Sequence, residues 1–295
     1  MIRSMTGYGD AERDSPAGRL RLEVKTVNHR FFNPSIKTPS GFDRFEKAVA
    51  DALKVHLARG HVSAYLSIDR SAAESTAALA VDMEKARGYR EALEALKDEL
   101  NVPGELDLAM FVRFGDIFRA PDVDRTAGVE VEMIAELADE AAQACRRMRD
   151  AEGERLADDL TGRLDAIAVQ LDRVEERAPE RLTEYRDRLR IAVAELSAQV
   201  DVDDDRLARE IAYMSEKWDI NEEVVRFRSH IELFREALGG AADEPVGKRL
   251  GFLAQEMLRE ANTVSSKAND AELAHASVAI KEEIERIREQ VENVE

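Results

Sequence analysis

At 295 residues, 35% of them charged and 5% aromatic, the chain is long enough for one large domain or two ordinary ones, and it favours long solvated helices over an all-β sandwich or barrel. Its single cysteine, Cys145, excludes an internal disulfide framework, and no stretch approaches the ~18 apolar residues of a membrane span, so a cytoplasmic protein, neither exported nor inserted, is expected. The net charge of −18 is unevenly spread: residues 1–70 carry twelve Lys/Arg against eight Asp/Glu, which leaves −22 on the rest, so a polyanion is drawn to the front and repelled by most of the rear.

A first strand is expected over about Ile2–Glu12. The Asp14-Ser15-Pro16-Ala17-Gly18 cluster then supplies a turn. Leu20, Leu22 and Val24 alternate with Arg21, Glu23 and Lys25, the period-2 pattern of a strand with one buried and one charged face. Val62, Ala64, Leu66 and Ile68 repeat it. Between the two runs, Phe42, Phe45, Val49, Leu53 and Leu57 recur at spacings of three and four, an amphipathic helix ended near Gly60. Asn28-His29-Arg30 falls where strand becomes loop. A histidine there is more often structural, but its Asn and Arg neighbours suit contact with a phosphate.

From about Val81 the period is helical. Pro103-Gly104, Pro121 and Thr126-Ala127-Gly128 punctuate short segments, and a charged helical stretch follows from about Glu130 to Val200, with a break or kink at Pro179. Asp201–Asp205 reads as a turn and helix start, and Gly239-Gly240 with Pro245 separates two further helices. In the last helix Leu273, Ala276, Ile280, Ile284, Ile287, Val291 and Val294 form a near-heptad stripe that needs a helix to pack on, in this chain or in a neighbouring subunit. The fold class expected is α+β: a strand-rich N-terminal domain with a packed helix over 1–155, facing a nucleic acid if the charge split is functional, then a mostly helical domain over 156–295.

Two rear segments gather polar groups. Asp219, Glu223, Arg226 and His230 fall within about 60° of one another on a helical wheel, so carboxylates, a guanidinium and an imidazole share a stripe able to bind metal, hold phosphate and move protons. Beside the apolar face of the segment from Arg249 to Lys267 lie Glu256, Arg259, Glu260, Thr263 and Lys267, where two carboxylates four residues apart can share a divalent cation. Solvated i, i+4 ion pairs are the plain alternative for both arcs. Zinc-ligand spacing, H-E-x-x-H, a Walker-type loop and G-x-S-x-G are all missing, and Thr6-Gly7-Tyr8-Gly9 is too short for a dinucleotide fingerprint.

Several segments together resemble the YicC/YloC-type endoribonucleases over nearly the whole length: Met1-Ile2-Arg3-Ser4-Met5-Thr6-Gly7-Tyr8-Gly9, Val24–Phe31, Arg59–Val62, Glu216-Lys217-Trp218-Asp219-Ile220-Asn221-Glu222-Glu223, Arg226–His230, Gln255-Glu256, Arg259–Thr263, Ser266-Lys267 and Arg288–Glu295. The resemblance implies a divalent-metal-dependent cutter of single-stranded RNA, built as a ring-like homo-oligomer, a hexamer. In this reading Asp219, Glu223, Glu256 and Glu260 hold Mg²⁺ or Mn²⁺. Arg226, Arg259 and Lys267 stabilise developing charge, His230 or His29 shuttles a proton, and Asn28, His29, Arg30, Arg226 and Lys267 contact RNA. The chain departs from the family at Gly251, where Asp is usual, at Leu258, where Asn is usual, and at Asn33, commonly Asp. Positions 251, 255, 258 and 262 share one helical face, so a polar stripe keeps Gln255 and Asn262 and loses two members. A non-catalytic RNA-binding or scaffold oligomer is therefore the alternative.

Overall fold

A computed structural model describes residues 2–69, 80–101, 103–119, 126–197, 204–240 and 246–295. Pro121 and most of the Asp201–Asp205 turn lie outside the described residues, as does Pro245. The fold is α+β, as expected: a four-stranded sheet at the front and helices behind. β1 (Gly7–Ser15) and β2 (Gly18–Val27) form a hairpin around Pro16-Ala17, with Gly18 at φ +126°, a backbone conformation that a side chain would strain. β3 (Phe32–Lys37), α1 (Glu46–His56) and β4 (Gly60–Asp69) make a βαβ crossover, so β3 lies parallel to β4 while β4 is antiparallel to β2. The sheet order is β1-β2-β4-β3.

The alternation read from the sequence buries the face it should. Leu20, Leu22, Val24, Val62, Ala64 and Leu66 are inside, packed with Phe42, Phe45, Val49, Leu53 and Leu57 from the α1 stripe. Beside α1 on the same face of the sheet lies α4 (Val131–Ser197), whose first turns bring Ile134, Leu137, Ala141 and Cys145 onto it. A Cβ on Gly9 would stand 2.2 Å from the Cys145 amide nitrogen, so the helix backbone rests directly on β1. Close packing explains the Gly-Tyr-Gly motif there.

Two expectations need correction. The first strand begins at Gly7, not Ile2, because residues 2–5 have another partner. Arg3 and Glu295 exchange backbone hydrogen bonds at 2.8 Å each, the Met5 amide donates to the Asn293 carbonyl at 2.8 Å, and Ile2 is buried among the rear helices. Nor does Pro179 break α4, which continues through it for 67 residues, about 100 Å at the usual rise. Proline removes one amide donor, and packing on both sides of it keeps the helix whole.

Between β4 and α4 lies an arm made of β5 (Ala80–Val81), α2 (Met83–Leu100), α3 (Leu108–Val112) and β6 (Phe118–Arg119). Asp82 caps α2 by accepting the Lys85 amide at 3.1 Å, and Tyr89 stacks on Phe114 at 4.4 Å. No residue of α2 is buried.

The rear core forms where Leu160, Leu164, Ile167, Leu171 and Val174 of α4 meet α6 (Asn221–Gly239), α7 (Val246–Lys267) and α8 (Ala271–Val291). Every member of the near-heptad stripe, Leu273 through Val294, is buried there, so its partners are helices of this chain. Each fully buried Leu or Ile contributes roughly 1.5–3 kcal/mol. The last α4 side chain in the front core is Cys145 and the first in the rear core is Leu156, so a boundary at 155/156 falls within one helix that serves both. α5 (Asp204–Lys217) precedes α6. No helix among the described residues is long and apolar enough to cross a membrane.

Candidate active site

The polar residues between β2 and β3 do not hang free. The Asn28 side-chain amide donates to the Glu292 carbonyl at 2.6 Å, and the Gly60 amide donates to the Phe31 carbonyl at 3.2 Å. The loop so held is one wall of a cleft of about 620 Å³. α7 supplies the opposite side with Gly247, Lys248, Gly251 and Gln255, and α8 supplies Glu285, Arg288 and Glu289, followed by its cap Glu292. Gly247 is there because α7 touches the chain beyond α8: a Cβ would lie 2.4 Å from the Val294 carbonyl oxygen. The cleft thus joins the front of the sequence to its helical rear.

The His29 ring is held by its own loop. Its Nδ1 lies 2.9 Å from the Phe31 carbonyl oxygen and 3.3 Å from the Phe31 amide nitrogen, so it donates to the one or accepts from the other according to tautomer, and either way the ring is tied to the Phe31 backbone. Nε2 is the open nitrogen, on an exposed ring lining the cleft, and no described residue bonds to it. The cations differ in their freedom. Arg59 is used structurally: it pairs with Glu295 at 3.1 Å and donates to the Val294 carbonyl at 3.3 Å. Arg149 likewise holds Glu295 and donates to the Ser4 carbonyl at 2.6 Å. Arg288 is paired with Glu285 at 2.9 Å. Arg30 and Lys248 have no carboxylate partner among the described residues, which leaves them for an anion.

The two polar arcs on the rear helices meet across the α6–α7 contact. Lys267 Nζ lies 2.9 Å from Glu223 Oε1 and donates to the Asp219 carbonyl at 2.8 Å. Arg226 Nη1 lies 3.6 Å from Glu260 Oε1, and Arg226 also pairs with Glu222 one turn away. Glu223 is 7% exposed and Glu260 4%, so each buried carboxylate faces a cation from the other helix. This is an antiparallel pair of crossed ion pairs, where neutralisation offsets the cost of burial. Glu256 stays apart, with only Arg259 beside it at 4.0 Å. His230 Nδ1 and Glu223 Oε2 are buried without a hydrogen-bond partner. Among the described residues no group of three or more His, Cys, Asp or Glu side chains stands where it could hold a metal ion. One chain therefore does not gather Asp219, Glu223, Glu256 and Glu260 into a cage.

The stripe at 251, 255, 258 and 262 does line up. Gly251 and Gln255 border the cleft, and Gln255, Leu258 and Asn262 continue along a second hollow on α7. Sequence reasoning missed Lys248 and Arg288, which the cleft brings together from positions 40 residues apart with no shared motif to signal it. It also missed Arg181. This α4 guanidinium is buried, lies 5.0 Å from the Trp218 ring, and donates to the carbonyls of Lys267, Ala268 and Trp218. Burial lowers its pKa. By binding both the end of α7 and the residue before Asp219, it sets where Lys267 meets Glu223.

Comparison with known proteins adds a family to this geometry. Residues 2–158 match the model described as Endoribonuclease YicC-like, N-terminal region, and residues 174–295 match Endoribonuclease YicC-like, C-terminal. The chain is similar to a protein of Clostridioides difficile named "Probable endoribonuclease YicC", 30% identical over 296 residues with both chains fully covered. A protein of Haemophilus influenzae with the same name is 30% identical over 297 residues, again across the whole of both chains.

Proposed function

This chain belongs to the YicC-like endoribonuclease family, and on that premise we propose that it is a cytoplasmic endoribonuclease that cuts single-stranded RNA in the cleft between the Asn28–Phe31 loop and helices α7 and α8. The observation that carries this reading is His29: an exposed imidazole, tied through Nδ1 to the Phe31 backbone, with its Nε2 unbonded beside two unpaired cations. Arg30 and Lys248 bind the phosphate. His29 Nε2 takes the proton from the attacking hydroxyl, whether of water or of the ribose 2′ position, as the new phosphorus–oxygen bond forms, the RNA's scissile P–O bond breaks and the departing ribose oxygen takes up a proton from water. A 2′-hydroxyl attack leaves a cyclic phosphate and a water attack leaves a monoester, so mapping product ends distinguishes them.

A divalent cation, Mg²⁺ or Mn²⁺, belongs to the proposal as a shared ligand of protein and RNA. Mg²⁺ is ordinarily held by one or two carboxylates plus substrate phosphates and not by an all-protein cage. Glu289, on the cleft wall with no cation partner among the described residues, would hold such an ion, and Glu285, one turn away, would join it on releasing Arg288. It would supply charge neutralisation at the phosphate. The Asp219, Glu223, Glu256 and Glu260 set does not fit, because two of its members are committed to Lys267 and Arg226. The crossed pairs instead hold α6 against α7.

Assembly as a homohexameric ring is also proposed. Its support is the arm, where Met83, Leu96, Leu100 and Leu108 are exposed apolar positions that a neighbouring subunit would cover. Light scattering on the purified protein gives the subunit number. Labelled single-stranded RNA incubated with wild type and His29→Ala, across Mg²⁺ and Mn²⁺ titrations and with EDTA, tests the activity. The other reading, an RNA-binding scaffold, is favoured by Gly251 and Leu258, and it predicts RNA that is retarded but uncut in every one of those conditions.

A further inference from the structure

Three of the phenylalanines near the front core are spent in the expected way. Phe42 and Phe45 are fully buried, and Phe32 packs partly against the same cluster. Phe31, next in sequence to Phe32, is 64% exposed. It is not exposed through looseness: its carbonyl accepts the Gly60 amide, its backbone is tied to His29 Nδ1, and Gly60 begins β4, in the middle of the sheet. The backbone that carries the ring is therefore anchored, and the ring is held out on the wall of the cleft. The Arg30 guanidinium lies 5.1 Å from the ring centroid, and Lys248 lines the same cleft.

An exposed, anchored aromatic ring beside unpaired cations is the arrangement that recognises unpaired nucleotides, since each base has a π-face to stack and each phosphate a charge to neutralise. We infer that Phe31 is a base-stacking platform that seats one unpaired nucleobase next to His29, with Arg30 and Lys248 on the flanking phosphates. The inference rests on the RNA-cutting reading above and deepens it, by naming the residue that makes the cleft prefer single strands. A base locked in a duplex is already stacked on its neighbours and cannot take this seat. The ring should also be indifferent to base identity, because stacking does not read hydrogen-bonding edges.

The test compares wild type, Phe31→Leu and Phe31→Tyr. Binding of a short oligouridine is measured against binding of inorganic polyphosphate, and cleavage of the same oligouridine is followed in parallel. Stacking on an aromatic ring makes roughly a tenfold difference in affinity, so F31L should lose about that factor for oligouridine and F31Y should retain it. Polyphosphate, which has no base, should bind all three alike. A fourth variant, F31W in a W218F background, places the molecule's single indole at the platform, and its fluorescence should be quenched by oligouridine and unmoved by polyphosphate. Equal oligouridine binding and cutting by F31L and wild type overturns the inference while leaving the nuclease intact. So does an F31L that loses polyphosphate to the same degree, since that marks a damaged loop. A wild type that neither binds nor cuts oligouridine overturns the functional reading itself, and the platform falls with it.

Discussion

Arg177 of α4 holds the carboxylate that starts α8: its Nη2 lies 2.8 Å from Asp270 Oδ2, while Asp270 Oδ1 accepts the amides of Glu272 and Leu273 at 3.0 and 3.1 Å. One carboxylate thus caps a helix and ties it to the long rod beside it. The Arg177 hydrogen bond, assisted by the two amides, lowers the Asp270 pKa below the ordinary carboxylate value. A depressed folded pKa contributes stability above the unfolded value and loses it as pH falls through the folded one. Asp270→Asn keeps a capping oxygen but no charge. Its urea midpoint should lie below wild type at pH 7, and the two should converge as the pH drops below about 4. Parallel midpoint curves over that range would refute the linkage.

Removing the cation of a buried pair should cost more than removing both members. Lys267→Met leaves Glu223 buried without its counter-charge and should lower stability by about 2–3 kcal/mol. Adding Glu223→Gln should recover part of that loss. Chemical denaturation of the two single variants and the double gives the coupling directly, and strict additivity would count against the pair.

His29→Ala should slow cleavage about a hundredfold or more while leaving the melting temperature near that of wild type, because the ring is exposed. His230→Ala should do the reverse. Its half-buried ring sits in the rear helices, away from the residues that line the cleft, so stability should fall and turnover of the folded fraction should hold. Single-turnover assays on both variants separate proton transfer from packing.

Two glycines of α7 should answer oppositely to a side chain. At Gly251 a Cβ would make only an ordinary contact, 3.9 Å from Val291 Cγ1, so Gly251→Asp should fold at least as well as wild type. It adds a carboxylate to the cleft, and cleavage at saturating Mg²⁺ should rise. At Gly247 a Cβ would collide with the Val294 carbonyl, and Gly247→Ala should lose about 1–3 kcal/mol as the 291–294 segment is pushed off. Thermal melts and Mg²⁺ titrations of the two variants check both.

Where one face of an element is buried, the sequence made that face legible. Leu20, Leu22 and Val24, the Phe42–Leu57 stripe and the Leu273–Val294 stripe each announced the side that turned inward. What periodicity lacks is the partner's address. The residues from Ile2 to Met5 look like the start of β1, yet they pair with residues 293–295, and no local pattern encodes a partner so distant. The site followed the same rule. Helical wheels put Glu223 with Arg226 and Glu260 with Lys267, and both sets do lie on contact faces. Only the antiparallel packing of α6 on α7 reveals that each carboxylate meets a cation. The cleft was least legible, since Asn28–Phe31, Lys248 and Arg288 come from three elements that meet only in the folded chain.

The unbroken α4 works as an indexing shaft. Each residue of a helix turns the next by about 100°, so the span between Cys145 and Leu156 fixes the angle at which the sheet faces the rear helices, and with it the gap across which His29 looks toward Lys248. Inserting one residue there would swing one half through more than a quarter-turn and pull the opposing walls out of alignment. Inserting seven, nearly two whole turns, would restore the bearing but lengthen the spacing by about 10 Å.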